Sequence, residues 1–147
     1  MGDLHLLVTI GGRRGAIPGA QVQSVVEIDQ VAPVPQAPPH VAGLAALRSR
    51  ALTVIDTRAA IGLDPAAFDT EGRAAVVDVD GHAYALLVDA VDDVADAQAT
   101  ATLSGATLGA EWDRVAQGYL ETAAGPAVLV DIAQLVAGPA LRFAAGS

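Results

Sequence analysis

The chain has 147 residues, enough for one domain or two small units sharing a core, and 52% of them are apolar against 3% aromatic, so the core must be built from Ala, Val, Leu and Ile. A net charge of −9 excludes the basic surface that phosphate contacts or anionic lipid would need, and the absence of cysteine excludes disulfides and thiol chemistry. The N-terminus "MGDLHLLVTIGG" lacks the charged and long apolar regions of a signal peptide, and no run approaches the ~20 apolar residues of a spanning helix, so a cytoplasmic protein is expected.

Leu4, Leu6, Val8 and Ile10 alternate with His5, Leu7 and Thr9, the period-two pattern of a half-buried strand. Gly11-Gly12 then supplies the positive φ angles of a tight hairpin turn. A further strand is expected over 22–28, "VQSVVEI". The four prolines of "VAPVPQAPP" (31–39) make an extended connection, because proline lacks a ladder donor. Val41–Leu47 and Ala51–Asp56 flank Arg48-Ser49-Arg50 as a hairpin whose tip carries two arginines. Asp56 stands where a short helix starts, its carboxylate accepting from backbone N–H groups.

The pattern then repeats. "VVDVDGHAYALLVDAVDDV" (76–94) is strand, Asp80-Gly81 turn, strand, strand; laid on 7–25 it places Gly81 on Gly12, Leu86 on Ile17 and Val91 on Val22. "AVLVDIAQLVAG" (127–138) parallels "LTVIDTRAAIGL" (52–63), each an apolar strand, an aspartate and a short helical stretch. Two copies of one small β unit are the simplest account, and such units avoid exposed edges by curling into barrels. Residues 95–113, rich in Ala and Thr, are expected to form a loop.

Chemical motifs are thin. His5, His40 and His82 lack ligand spacing, so no metal site is signalled; "GGRRG" lacks the Lys-Ser/Thr of a phosphate loop; "DVDG" (78–81) lacks the later ligands of a calcium loop. No cofactor and no catalytic residue is expected. The acidic run Asp89, Asp92, Asp93, Asp96 is expected to be a solvated strand edge, or a receiver for a partner's arginine. "VIDT" and "LVDI" suggest the paired aspartates of acid proteases, but Arg58 and Ala133 stand where glycines belong, and helix capping by Asp56 and Asp131 is the preferred role.

All eight basic residues are arginines, and Arg48, Arg50 and Arg58 fall within eleven positions. There the stretch "PHVAGLAALRSRALTVIDTR" (39–58) resembles the chemotaxis coupling protein family CheW, at Pro39, Gly43, Leu47, Arg48, Leu52, Val54, Ile55, Asp56 and Arg58. "AIPGAQVQSVVEI", "YALLVDAVDDV" and "VLVDIAQLV" follow in the family's order, so most of the chain is covered. Departures are Ser24 for Glu, Ala46 for Asn, Ser49 for Gly, Thr53 for Pro and Thr57 for Leu.

The resemblance implies a mostly β fold of two packed, five-stranded SH3-like barrels with short helices. It forms one domain over 1–147, with subdomains at roughly 15–75 and at 76–147 plus the N-terminal strand. It implies a non-enzymatic cytoplasmic adaptor, recruited to membrane-associated arrays, that couples the tip of a methyl-accepting chemoreceptor to a CheA-type histidine kinase. The alternative is a two-barrel module for another signalling kinase or regulator outside chemotaxis. Val22, Gln23, Ser24, Val25, Leu47 and Arg48 map to the receptor side, and Val41, Ala42 and Leu44 to the kinase side. Neither nucleic acid nor direct membrane insertion is implied. From the residues themselves, Arg58 is expected to pair with a local carboxylate and Arg50 to be solvated. Arg48 either meets a partner or braces the seam between the units, and Val22 and Val25 have a core role as an equal alternative, because alternating strands bury half their residues.

Overall fold

The computed structural model describes residues 4–28, 30–62, 72–96, 99–101, 110–122 and 125–138. Strands β1 (Leu4–Ile10), β2 (Arg13–Pro18) and β3 (Val22–Ile28) come first, followed by β4 (Val41–Leu47), β5 (Arg50–Asp56) and helix α1 (Thr57–Ala60). Next are β6 (Gly72–Val79), β7 (His82–Val88), β8 (Ala90–Asp96) and the short β9 (Ala99–Ala101). Helix α2 (Ala110–Val115), β10 (Ala116–Thr122), β11 (Gly125–Val130) and α3 (Ile132–Ala137) complete the described chain.

Three hairpins have two-residue loops in which both residues take positive φ: Gly11 and Gly12 (59° and 85°), Arg48 and Ser49 (51° and 71°), Asp80 and Gly81 (51° and 84°). This turn class matches the right-handed twist of the flanking strands, which is why the chain reverses tightly at these points. Two of the loops use glycine; the middle one holds arginine and serine in a backbone region that costs them on the order of 1 kcal/mol each.

The strands form a six-stranded sheet, in the order β8-β1-β2-β11-β10-β9, and a five-stranded sheet, in the order β3-β6-β7-β5-β4. Removing the short β9 leaves two sheets of five with the same internal logic. In each, a hairpin (β1–β2, β6–β7) takes a parallel strand beside its second member (β11, β5), and that strand forms an antiparallel pair with the one before it (β10, β4). The fifth strand is exchanged. β3 leaves β2 to pair with β6, and β8 leaves β7 to pair with β1. The repeat seen in the sequence is therefore a pair of units that trade one strand each. The two sheets thus draw their described strands from 22–88 and from 4–18 plus 90–130. Among the described residues neither ladder closes on itself.

Trading strands puts the main core at the seam. Leu6, Val8, Ile10 and Ile17 of one sheet meet Ile55, Ala75, Val77 and Leu86 of the other, with Trp112, Val115, Ile132 and Leu135 from the helices, in a cluster of 16 buried residues. The clusters inside the individual sheets are smaller, with 8 and 4 buried residues. At about 1.5–3 kcal/mol per large buried aliphatic side chain, the largest share of the apolar stabilisation lies between the units. β1 differs from the half-buried strand its alternation suggested. Leu6, Val8 and Ile10 enter the seam, Leu7 enters the core of its own sheet, and His5 is buried too, because β1 lies between two partners and has a core on each face.

The helix starts agree with the capping role. Asp56 Oδ1 accepts from Arg58 N at 3.0 Å and Ala59 N at 3.2 Å, and Asp131 Oδ1 accepts from Gln134 N at 3.3 Å. The expected loop over 95–113 is not one segment: 95–96 end β8, 99–101 form β9 and 110–113 begin α2, while 97–98 and 102–109 lie outside the described residues.

Candidate functional site

Exposed apolar side chains mark two grooves. The first lies where the chain crosses from β2 to β3. Its lining includes Leu4 and Leu6 of β1, Pro18 at the end of β2, Val22 of β3 and Val94 of β8, around a volume of about 630 Å³. Leu6 and Val94 are register partners, and Leu4 and Val94 are 56% and 54% exposed, unusual values for strand leucine and valine. The strand exchange builds this groove, since it brings β3 and β8, from different halves of the sequence, to the same crossing.

The second groove lies between the two edges of the five-stranded sheet and holds about 690 Å³. Ile28 from the end of β3 faces Leu44, Ala46 and Leu47 of β4, with Ala32 and Ala51 alongside. Ala32 also forms an isolated two-bond bridge to Leu44, its N donating to Leu44 O at 2.8 Å and its O accepting from Leu44 N at 2.9 Å. The proline-rich connection is thus a strap across the outer edge of β4, which protects part of an otherwise open edge.

The residues singled out from the sequence are divided between these places. Val22 is half-buried in the first groove; Ser24 and Val25 are exposed on the edge strand β3, and Gln23, also exposed, donates from Nε2 to Asp78 Oδ2 at 3.0 Å. Leu47 shares the second groove with Leu44, while Arg48 extends exposed from the adjoining hairpin tip. Val41 and Ala42 are half-buried at the start of β4. Leu47 therefore shares the second groove with Leu44 and with Ile28 at the end of β3, and not the first groove with Val22. Leu4, Leu6, Pro18 and Val94 escaped the sequence reading. Val94 carried a signal, as an isolated apolar residue on the outward register of an acidic strand.

Electrostatics separate the arginines. Arg58 Nη1 donates to Asp89 Oδ2 at 3.3 Å, so it does pair with a carboxylate, though one 31 positions away. Asp89 Oδ2 also accepts from Gly11 N at 2.9 Å, and Asp92 Oδ2 accepts from Thr9 Oγ1 at 2.7 Å and lies 3.8 Å from Arg14 Nε. The acidic run is therefore not simply a solvated edge: two of its members fasten β8 to β1. Arg13 lies over the Trp112 ring at 5.6 Å and helps close the seam. Arg48 and Arg50 stay exposed, leaving the hairpin tip as a basic point on an acidic body.

The two aspartates do not form a reactive pair. Asp56 is 2% exposed with its carboxylate turned to the start of α1, whereas Asp131 lines a separate cleft of about 260 Å³ with Asp78 and Asp80. Among the described residues there is no group of three or more His, Cys, Asp or Glu that could hold a metal ion, and no helix is long and apolar enough to cross a membrane.

Two interlocked β units, apolar grooves at their crossing and edge, and a basic hairpin tip define a scaffold whose surfaces suit the binding of other polypeptides. The chain belongs to the CheW-like domain family, whose model matches residues 4–139. Its fold is similar to that of the scaffolding protein TtCheW from Thermoanaerobacter tengcongensis, with a TM-score of 0.77 at 20% identity over 88% of this chain and 89% of that one. No curated protein matches the sequence.

Proposed function

We propose that the protein is a non-enzymatic adaptor that couples the cytoplasmic tip of a methyl-accepting chemoreceptor to a CheA-type histidine kinase, within the cytoplasm at membrane-associated receptor arrays. The observation that carries this reading is the apolar groove at the β2–β3 crossing, where Leu4 and Val94 stay more than half exposed beside Val22. A groove of this kind receives the apolar face of an amphipathic helix, the form in which a helical receptor tip would present itself. Val22, Gln23, Ser24 and Val25 would line the receptor side at the first groove, and Leu47 and Arg48 would make a separate receptor contact at the hairpin tip beside the second groove. Val41, Ala42 and Leu44, beside the second groove, would meet the kinase. Arg48 and Arg50 offer planar, permanently charged donors to carboxylates or carbonyls, which sets register and encounter rate more than raw affinity.

The test is co-sedimentation with receptor-bearing membranes and a CheA-type kinase. Arg48→Glu is expected to weaken binding by about tenfold, the effect of reversing one interfacial charge at ~1.4 kcal/mol. Its thermal midpoint should stay within about 1 °C, because Arg48 is exposed and surface substitutions cost little. A large fall in the midpoint would make Arg48 a structural brace. Wild-type protein that binds neither partner would overturn the coupling role and point to another signalling kinase or regulator.

A further inference from the structure

We propose that His40 is an acid-sensitive latch between the strap (31–40) and the C-terminal end of α3, and that protonation of its ring releases α3. The backbone at this point is fixed, because His40 O accepts from Asp56 N at 2.8 Å where β4 and β5 begin to pair. The ring is 3% exposed, and its Nε2 lies 2.8 Å from Val136 O. A carbonyl only accepts, so Nε2 carries the proton and Nδ1 is the bare nitrogen. That Nδ1 is buried and has no hydrogen-bond partner. Gly138 closes the other side: its φ is +74°, and a Cβ there would lie within 2.3 Å of the imidazole, so the ring is packed against bare backbone.

A second proton has nowhere favourable to go. It would create an N–H at Nδ1 with no acceptor and an imidazolium out of contact with water, which costs more than the neutral ring. The charged groups on the packed elements offer no relief. α3 carries no titratable side chain, and Asp131 faces the N-terminal end of that helix. Asp56, at the end of β5, faces the start of α1, and Arg58 of α1 is bound to Asp89. α2 presents Arg114, a like charge, whose Nη1 donates to Gln134 O at 2.7 Å and whose Nη2 donates to Ala60 O. Burial lowers the His40 pKa, the bond to Val136 O raises it, and Arg114 lowers it again, leaving it below the ordinary value.

The sign follows. A released ring titrates near ~6.5, above the latched ring, so the released state binds more protons. The latch is fully set above pH ~6.5 and weakens as pH falls toward the depressed value, by at most about tenfold per pH unit.

The experiment is amide hydrogen exchange of the whole chain, corrected for intrinsic rates, at about pH 7.5 and about pH 5.5. The reporters are Leu135 N and Gly138 N, which donate to Asp131 O at 3.0 Å and Gln134 O at 3.1 Å. In the wild type the opening constant at these amides is expected to rise on acidification, by at most about tenfold. His40→Gln retains a donor for Val136 O and does not titrate, so its response should be flat. A flat wild type, or the same rise in the variant, would overturn the latch. Should the variant not fold, ring chemical shifts of the wild type decide: the rise must track the midpoint of His40, and tracking His5 or His82 instead would refute the proposal.

Discussion

The two capping aspartates occupy matching places in the repeat, yet the structure predicts very different costs for losing them. Asp56 is 2% exposed and its Oδ1 accepts two backbone N–H groups, one of them from Ala59, itself 6% exposed. Removing a cap costs about 0.5–2 kcal/mol, and a buried N–H left without an acceptor costs about 1–3 more, so Asp56→Ala should lose ~3 kcal/mol. Asp131 is half-exposed and accepts one bond of 3.3 Å from Gln134, an exposed residue, so water can replace the carboxylate and Asp131→Ala should lose only about 0.5–1 kcal/mol. At roughly 3 °C per kcal/mol for a chain of this size, the thermal midpoints should fall by about 9 °C and about 2 °C. Asp56→Asn, which keeps the acceptor oxygen and loses the charge, should fall between wild type and Asp56→Ala. Urea titrations should give the same ranking with unchanged slopes, because only local contacts are removed. Equal losses, or a larger loss at Asp131, would refute the argument that burial of the capped donor sets the cost.

Backbone geometry yields two more predictions. Ser49→Gly relieves a side chain held at φ 71° in the β4–β5 turn, and strain of ~1–2 kcal/mol less the unfolded-state entropy of glycine leaves a gain of about 0.5–1 kcal/mol, read as a higher thermal midpoint. Gly43→Ala should do the opposite: φ is +149° and a Cβ would lie 2.2 Å from Ala32 O, so the strap must move off β4. A loss of ~3 kcal/mol or more and new proteolysis within 31–39 are expected.

Much of this molecule could be read from local pattern. Gly-Gly, Arg-Ser-Arg and Asp-Gly between apolar runs place three hairpins, the middle one a residue shorter at its tip than expected because Arg50 already belongs to β5, and an aspartate closing an apolar strand places both helix starts, because turns and caps depend on residues within a few positions of each other. The repeat and the resemblance around Arg48 gave the family, which the match over 4–139 bears out. Weaker pattern went unread. β10 carries Gly, Gln, Glu and Thr among few large apolar residues, and β9 and α2 lie in a stretch dominated by Ala and Thr, so their periodicity is faint.

What the sequence alone determined, then, was the strongly patterned strands, the turns and caps between them, and the doubled plan they follow. Only the tertiary structure decided which unit each third strand joins. That exchange buries β1 on both faces, builds the groove of Leu4, Val22 and Val94 and ties Asp92 to Thr9, and the packing of α3 beside the start of β4 sets His40 against Val136. The pairs Thr9–Asp92 and His40–Val136 are separated by 83 and 96 positions. No local propensity or period encodes such separations; they are fixed by which packing of the sheets buries the most apolar surface at the seam.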